Sequence, residues 1–208
     1  YDVSFDALLG TTENVIAEES KLTYEDYKNG WYLEATGMDM VLEKYKGQNL
    51  PEIIVAVVDT GVDLNCKYLQ DRIIRTGFNN AGDGEENSEQ DYSNKSHGTM
   101  VSSVIANCTT ENVKIANYRT LNSEGKATLS TVYAGFLKAI DDGIKIINAS
   151  LSFSVRGFEL HFAILQYAKD NNVFIICGAG NASANIEIRD ASYINTSDDT
   201  CSVGASTK

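Results

Sequence analysis

Three polar residues of this 208-residue chain stand where a backbone can deliver side-chain chemistry. Asp59 closes the apolar run 53–58 and opens Asp59-Thr60-Gly61, His97 lies in Ser96-His97-Gly98-Thr99, and Asn181 follows Gly178-Ala179-Gly180. A serine hydroxyl is a weak nucleophile near neutral pH. It needs an imidazole within hydrogen-bond reach, and that imidazole needs a carboxylate to fix its tautomer. Asp59 and His97 are those two residue types. Acyl transfer also builds an oxyanion that needs preorganised donors, and a carboxamide in a glycine-rich turn is one. Each residue alone has a plainer use: Asp59 in a turn, His97 as a structural imidazole, Asn181 as a left-handed turn residue. Three such positions in this order point instead to hydrolysis of an acyl bond.

The elements that must position these residues follow from the pattern around them. Residues 53–58 are a continuous apolar, β-branched run, which suits a strand covered on both faces, and 113–118, 144–151, 173–177 and 201–205 read as further strands. Residues 38–45, 99–107, 129–142 and 158–171 read as helices, the third closed by Gly143. In the last, Phe158, Phe162, Leu165 and Ala168 recur at about helical spacing and are the expected buried face. Strands alternating with helices imply right-handed crossovers and a parallel sheet. Sites in such sheets form at the carboxyl ends of strands, where Asp59, 151–154 and Gly178–Asn181 all fall. Residues 82–91 are acidic and glycine-containing, and read as a loop. Residues 1–30 hold seven acids and two lysines and read as an N-terminal extension, solvated or wrapped on the domain 31–208.

Composition narrows the function. The chain carries 17 Lys and Arg against 29 Asp and Glu, a formal charge of −12, which argues against nucleic acid as a partner. No apolar stretch approaches the length of a membrane span. The cysteines at 66, 108, 177 and 201 form no C-x-x-C pair and read as free, mostly buried small residues. The chain starts at Tyr1, so any signal peptide would lie outside it.

The motifs Ile-Val-Ala-Val-Val-Asp59-Thr-Gly-Val-Asp63, Ser96-His97-Gly98-Thr99-Met100-Val101, Ile146-Ile147-Asn148-Ala149-Ser150-Leu151 and Ile175-Ile176-Cys177-Gly178-Ala179-Gly180-Asn181 resemble those of the subtilisin-like serine proteases, the subtilase or peptidase S8 family. The likeness runs from about Trp31 to Ala205. It implies an α/β, three-layer, parallel-sheet subtilisin-like fold whose C-terminal portion is missing from this chain. It also implies a serine endopeptidase in which Asp59 orients the imidazole, His97 is general base and acid, and Asn181 donates to the oxyanion. By the same resemblance Ser150, Leu151, Ser152, Gly178, Ala179 and Gly180 line the primary specificity pocket. Ser123, Glu124, Gly125 and Lys126 form an edge on which an extended polypeptide substrate pairs. Pocket walls without an acid imply an uncharged P1 side chain. A secreted or cell-surface location is expected.

Departures from the family pattern carry expectations of their own. The nucleophilic serine turn is absent, and Ser206 follows a strand too early to replace it. The serine is therefore expected beyond this chain, with the 208 residues inactive alone and a C-terminal fragment or other partner covering the face that its absence exposes. The alternative is a non-catalytic binding or maturation protein lacking the nucleophile. Tyr68 stands where the family commonly has a calcium-binding carboxylate, and the loop near 107–112 is short. No metal and no cofactor are expected, the common calcium site being lost. Met100 replaces the family's second histidine, and Ser152 replaces a pocket glycine.

Overall fold

A computed structural model describes residues 2–4, 30–84, 88–151, 158–180, 194 and 197–204. Strand β1 (Asp2–Ser4) comes first, followed by helices α1 (Trp31–Thr36) and α2 (Met38–Tyr45). Then come β2 (Ile53–Asp59), β3 (Ile73–Asn79), α3 (His97–Asn107), β4 (Val113–Arg119), β5 (Lys126–Thr128), α4 (Leu129–Asp141), β6 (Ile146–Ala149), α5 (Phe158–Asp170), β7 (Phe174–Gly178) and β8 (Cys201–Val203).

Six strands form a parallel sheet in the order β3-β4-β2-β6-β7-β8. Strands β2 and β4 pair residue for residue from Ile53↔Val113 to Asp59↔Arg119. The chain reverses its order at β2, so the ends of β2, β6 and β7 open on one crevice. On one face Ala56, Val58, Ala116 and Tyr118 join Val132, Phe136 and Ala139 of α4 and Ile164, Leu165 and Ala168 of α5 in a single core. Val57 and Ile115 alternate with these and are equally buried outside that cluster, and α3 packs on β2. Each such Val, Ile or Phe contributes about 1.5–3 kcal/mol by leaving water.

The boundaries follow local chemistry. Helix α4 starts at Thr128, whose hydroxyl accepts the Thr131 amide while the Thr131 hydroxyl accepts the Thr128 amide. Gly143 sits just past its end with φ +81°. The inner face of α5 differs from expectation: His161, Ile164, Leu165 and Ala168 are buried, while Phe162 is 56% exposed. The helix is rotated so that the i, i+3, i+4, i+7 row begins at His161. Strands β3 and β5 were not expected. Neither is a continuous apolar run, and β3 lies on the sheet edge with its residues exposed or half-buried.

A second, two-stranded sheet joins β1 antiparallel to β5, with Asp2↔Thr128, Val3↔Ala127 and Ser4↔Lys126. Residues 2–4 thus form a strand paired with β5.

Candidate active site

Asp59 is the last residue of β2 and His97 the first of α3. Both are buried, at 0% and 3% exposure. His97 Nδ1 lies 2.8 Å from Asp59 Oδ1 and 3.0 Å from Oδ2. The Thr60 amide donates to Asp59 Oδ1 at 2.7 Å. Two glycines let the strand end and the helix start come this close. A β-carbon on Gly98 would stand 2.1 Å from the Gly61 carbonyl oxygen and 3.2 Å from the Asp59 side chain. A β-carbon on Gly61, at φ +111°, would stand 2.7 Å from the Glu89 carbonyl oxygen and 2.9 Å from that of Gln90. The glycine in each motif is a packing requirement as well as a turn. Ser96, just before the helix, holds a left-handed conformation (φ 48°), which a non-glycine residue adopts at some cost.

Several residues that fix this arrangement carried no sequence signal. Asp91, in the acidic loop, is buried and accepts four hydrogen bonds: from the Ser93 amide and hydroxyl, and from the Thr99 amide and hydroxyl. The Thr99 hydroxyl accepts the Asp63 amide, and the Thr60 hydroxyl accepts the Gly98 amide. This network ties the first turn of α3 to the loop after β2. The only available sequence cue was the polar loop preceding His97, and loop composition does not say which acid turns inward.

Ser123, Glu124, Gly125 and Lys126, expected as a substrate edge, lie in a turn held by its own hydrogen bonds. Asn122 Oδ1 accepts the Glu124 and Lys126 amides, and the Gly125 amide bonds the Asn122 carbonyl with Gly125 at φ +73°. Arg119, fully buried at the end of β4, donates from Nε to the Thr60 carbonyl and from both terminal nitrogens to Asp83. Asp83 in turn accepts the Ser123 amide at 3.0 Å. Burial alone would raise the Asp83 carboxyl, but the Arg119 hydrogen bonds and charge, with the Ser123 amide, hold it below the usual carboxylate range. One bidentate ion pair therefore links the loop after Asp59 to the cleft edge. Between that edge and His97 lies a cavity of about 240 Å³, lined also by Thr60, Ser93, Asn94 and Lys95.

Adjacent strands carry the other expected wall. Ser150 and Leu151 follow β6, and Gly178, Ala179 and Gly180 end and follow β7, its parallel neighbour. The Leu151 carbonyl lies 3.8 Å from where a Gly178 β-carbon would be. The Leu151 side chain belongs to the core, so its backbone is what it can offer the crevice. Asn181, Ser152 and Ser206 lie outside the described residues.

Tyr68 is 92% exposed. Among the described residues no group of three or more His, Cys, Asp or Glu is placed to hold a metal ion. The described acids of the loop before His97 have separate protein partners: Asp83 has Arg119, Glu89 has Arg75 and Thr76, and Asp91 has Ser93 and Thr99. The four cysteines are free. Cys177 is fully buried, and burial pushes its thiol up to about 12.

Residues 51–208 match the Subtilase family of peptidases. The chain belongs to the subtilase family. Among curated relatives, the thermophilic serine proteinase of Bacillus sp. (strain AK1) is 29% identical over 83% of this chain and 43% of its own length. The cell wall-associated protease of Bacillus subtilis (strain 168) is 34% identical over 77% of the chain and 18% of its length. The chain thus spans less than half of each. Among similar solved structures, a lanthipeptide protease superposes with a TM-score of 0.67, covering 84% of this chain and 55% of that one; at 23% identity it shows the shared fold. Among the described residues no helix is long and apolar enough to cross a membrane.

Proposed function

We propose that the protein is a serine endopeptidase whose nucleophilic serine lies beyond residue 208. The observation that carries this reading is the buried Asp59–His97 pair, in which Nδ1 meets both carboxylate oxygens within 3.0 Å. With Nδ1 committed to Asp59, proton transfer falls to Nε2. It would take the serine proton on attack and return it to the leaving amine, while Asp59 stays ionised and stabilises the imidazolium. Asn181 would donate to the oxyanion. Its replacement by Ala is expected to lower kcat by about 10²–10³-fold with little change in KM, the range known for subtilisin's own donor.

A polypeptide would pair along Ser123, Glu124, Gly125 and Lys126, with an uncharged P1 side chain between the Ser150–Ser152 and Gly178–Gly180 walls. The cell wall-associated relative supports a location outside the cytoplasm. The remaining chain, or a partner, would cover the side of the sheet that ends at β8, where Phe174 and Val203 are exposed. Independence from calcium at Tyr68 is part of the same proposal, and EDTA should leave Tm unchanged.

A fluorophosphonate probe tests the central reading. The full-length protein should label and cleave casein, His97→Ala should do neither, and the 208 residues alone should not label. Stable, folded full-length protein that neither labels nor cleaves would overturn it in favour of a binding role.

A further inference from the structure

We infer that Lys95 sets a preference for an acidic substrate side chain in the cavity beside His97; this rests on the peptidase reading above. The β1–β5 pair shows how an extended strand sits on the edge: antiparallel, with Ser4 opposite Lys126 and Asp2 opposite Thr128. A substrate in the same direction runs from Thr128 toward Gly125 and reaches His97 last. The residue beside Gly125 is therefore on the N-terminal side of the scissile bond, next to the one that supplies its carbonyl. Its side chain enters the cavity whose walls are His97, Lys95, Asn94 and Ser93 on one side and Ser123 to Lys126 on the other.

The charges there run against the rest of the molecule. The chain as a whole carries −12, yet this cavity has two lysines to one glutamate. The Glu124 carboxylate is already taken by Lys126 at 3.0 Å. It therefore does not make the cavity acidic. Lys95 has no carboxylate partner among the described residues. Its ammonium is left to be matched by the substrate, and an Asp or Glu fits where a Lys or Arg would meet like charge. The side chain is exposed, so the effect is moderate and screened by salt.

Cleavage by the full-length protein of peptides identical except for Asp, Asn or Lys at this position tests the inference. The Asp peptide should exceed the Lys peptide in kcat/KM by roughly three- to tenfold at low ionic strength, and the ratio should fall toward one in 1 M salt. Lys95→Glu should reverse the order, and Lys95→Gln should flatten it. Equal cleavage of the three peptides, or the same order in wild type and Lys95→Glu, overturns the inference and leaves the peptidase reading standing. Cleavage of none, the neutral Asn peptide included, overturns both.

Discussion

Gly98 stands over Gly61 so closely that a β-carbon on it would lie 2.1 Å from the Gly61 carbonyl oxygen. That contact brings the first turn of α3 onto the end of β2 and sets the distance between His97 and Asp59. The clash would be with backbone rather than with the end of a flexible side chain, so it is not relieved cheaply. Gly98→Ala should therefore cost about 1–3 kcal/mol in unfolding free energy and displace His97 from Asp59. Urea unfolding and probe labelling measure the two effects. A variant with wild-type stability and labelling would show that the loop relaxes freely.

Asp83→Asn separates positioning from chemistry. It removes the charge that neutralises the buried Arg119 and weakens the hold on the Ser123 amide. KM should rise several-fold while kcat changes little, and Tm should fall. A loss confined to kcat would mean that the pair acts on Asp59 and His97 rather than on the cleft edge.

Strand β1 pairs with Lys126, Ala127 and Thr128 and so overlaps, at Lys126, the edge on which substrate is proposed to pair. Deleting residues 1–4 should lower KM for extended peptides and leave kcat unchanged, because a competing strand has been removed and no reacting group altered. An unchanged KM would mean that substrate does not use the β5 edge.

His161 is buried on α5, with Nδ1 3.5 Å from the Tyr133 hydroxyl and, among the described residues, no hydrogen-bond partner on Nε2. Burial pushes its pKa below the ordinary 6.5. The unfolded chain takes up a proton near that value while the folded chain resists, so stability is full above pH 6.5 and declines as pH falls toward the lower folded value. Chemical denaturation at pH 7.5 and 5.5 should show this decline in wild type and a smaller one in His161→Leu. Identical pH dependence in the two proteins would assign the acid sensitivity elsewhere.

The sequence by itself determined the family, the parallel sheet and the place of Asp59 and His97. These are encoded locally: an apolar strand followed by a tight glycine turn needs only neighbouring residues to be read. Tertiary structure decided what depends on distant partners. Asp91 acts on residues two and eight positions away, whereas Asp83 reaches Arg119 thirty-six residues on, and no periodicity marks such a pairing. It also decided that His161 rather than Phe162 faces the core, because helical spacing defines a stripe but packing against α4 and the sheet sets its rotation. And it decided that β5 is a strand at all. Three residues of mixed polarity hold no strand signal of their own, and their partner in the pair comes from the far end of the chain.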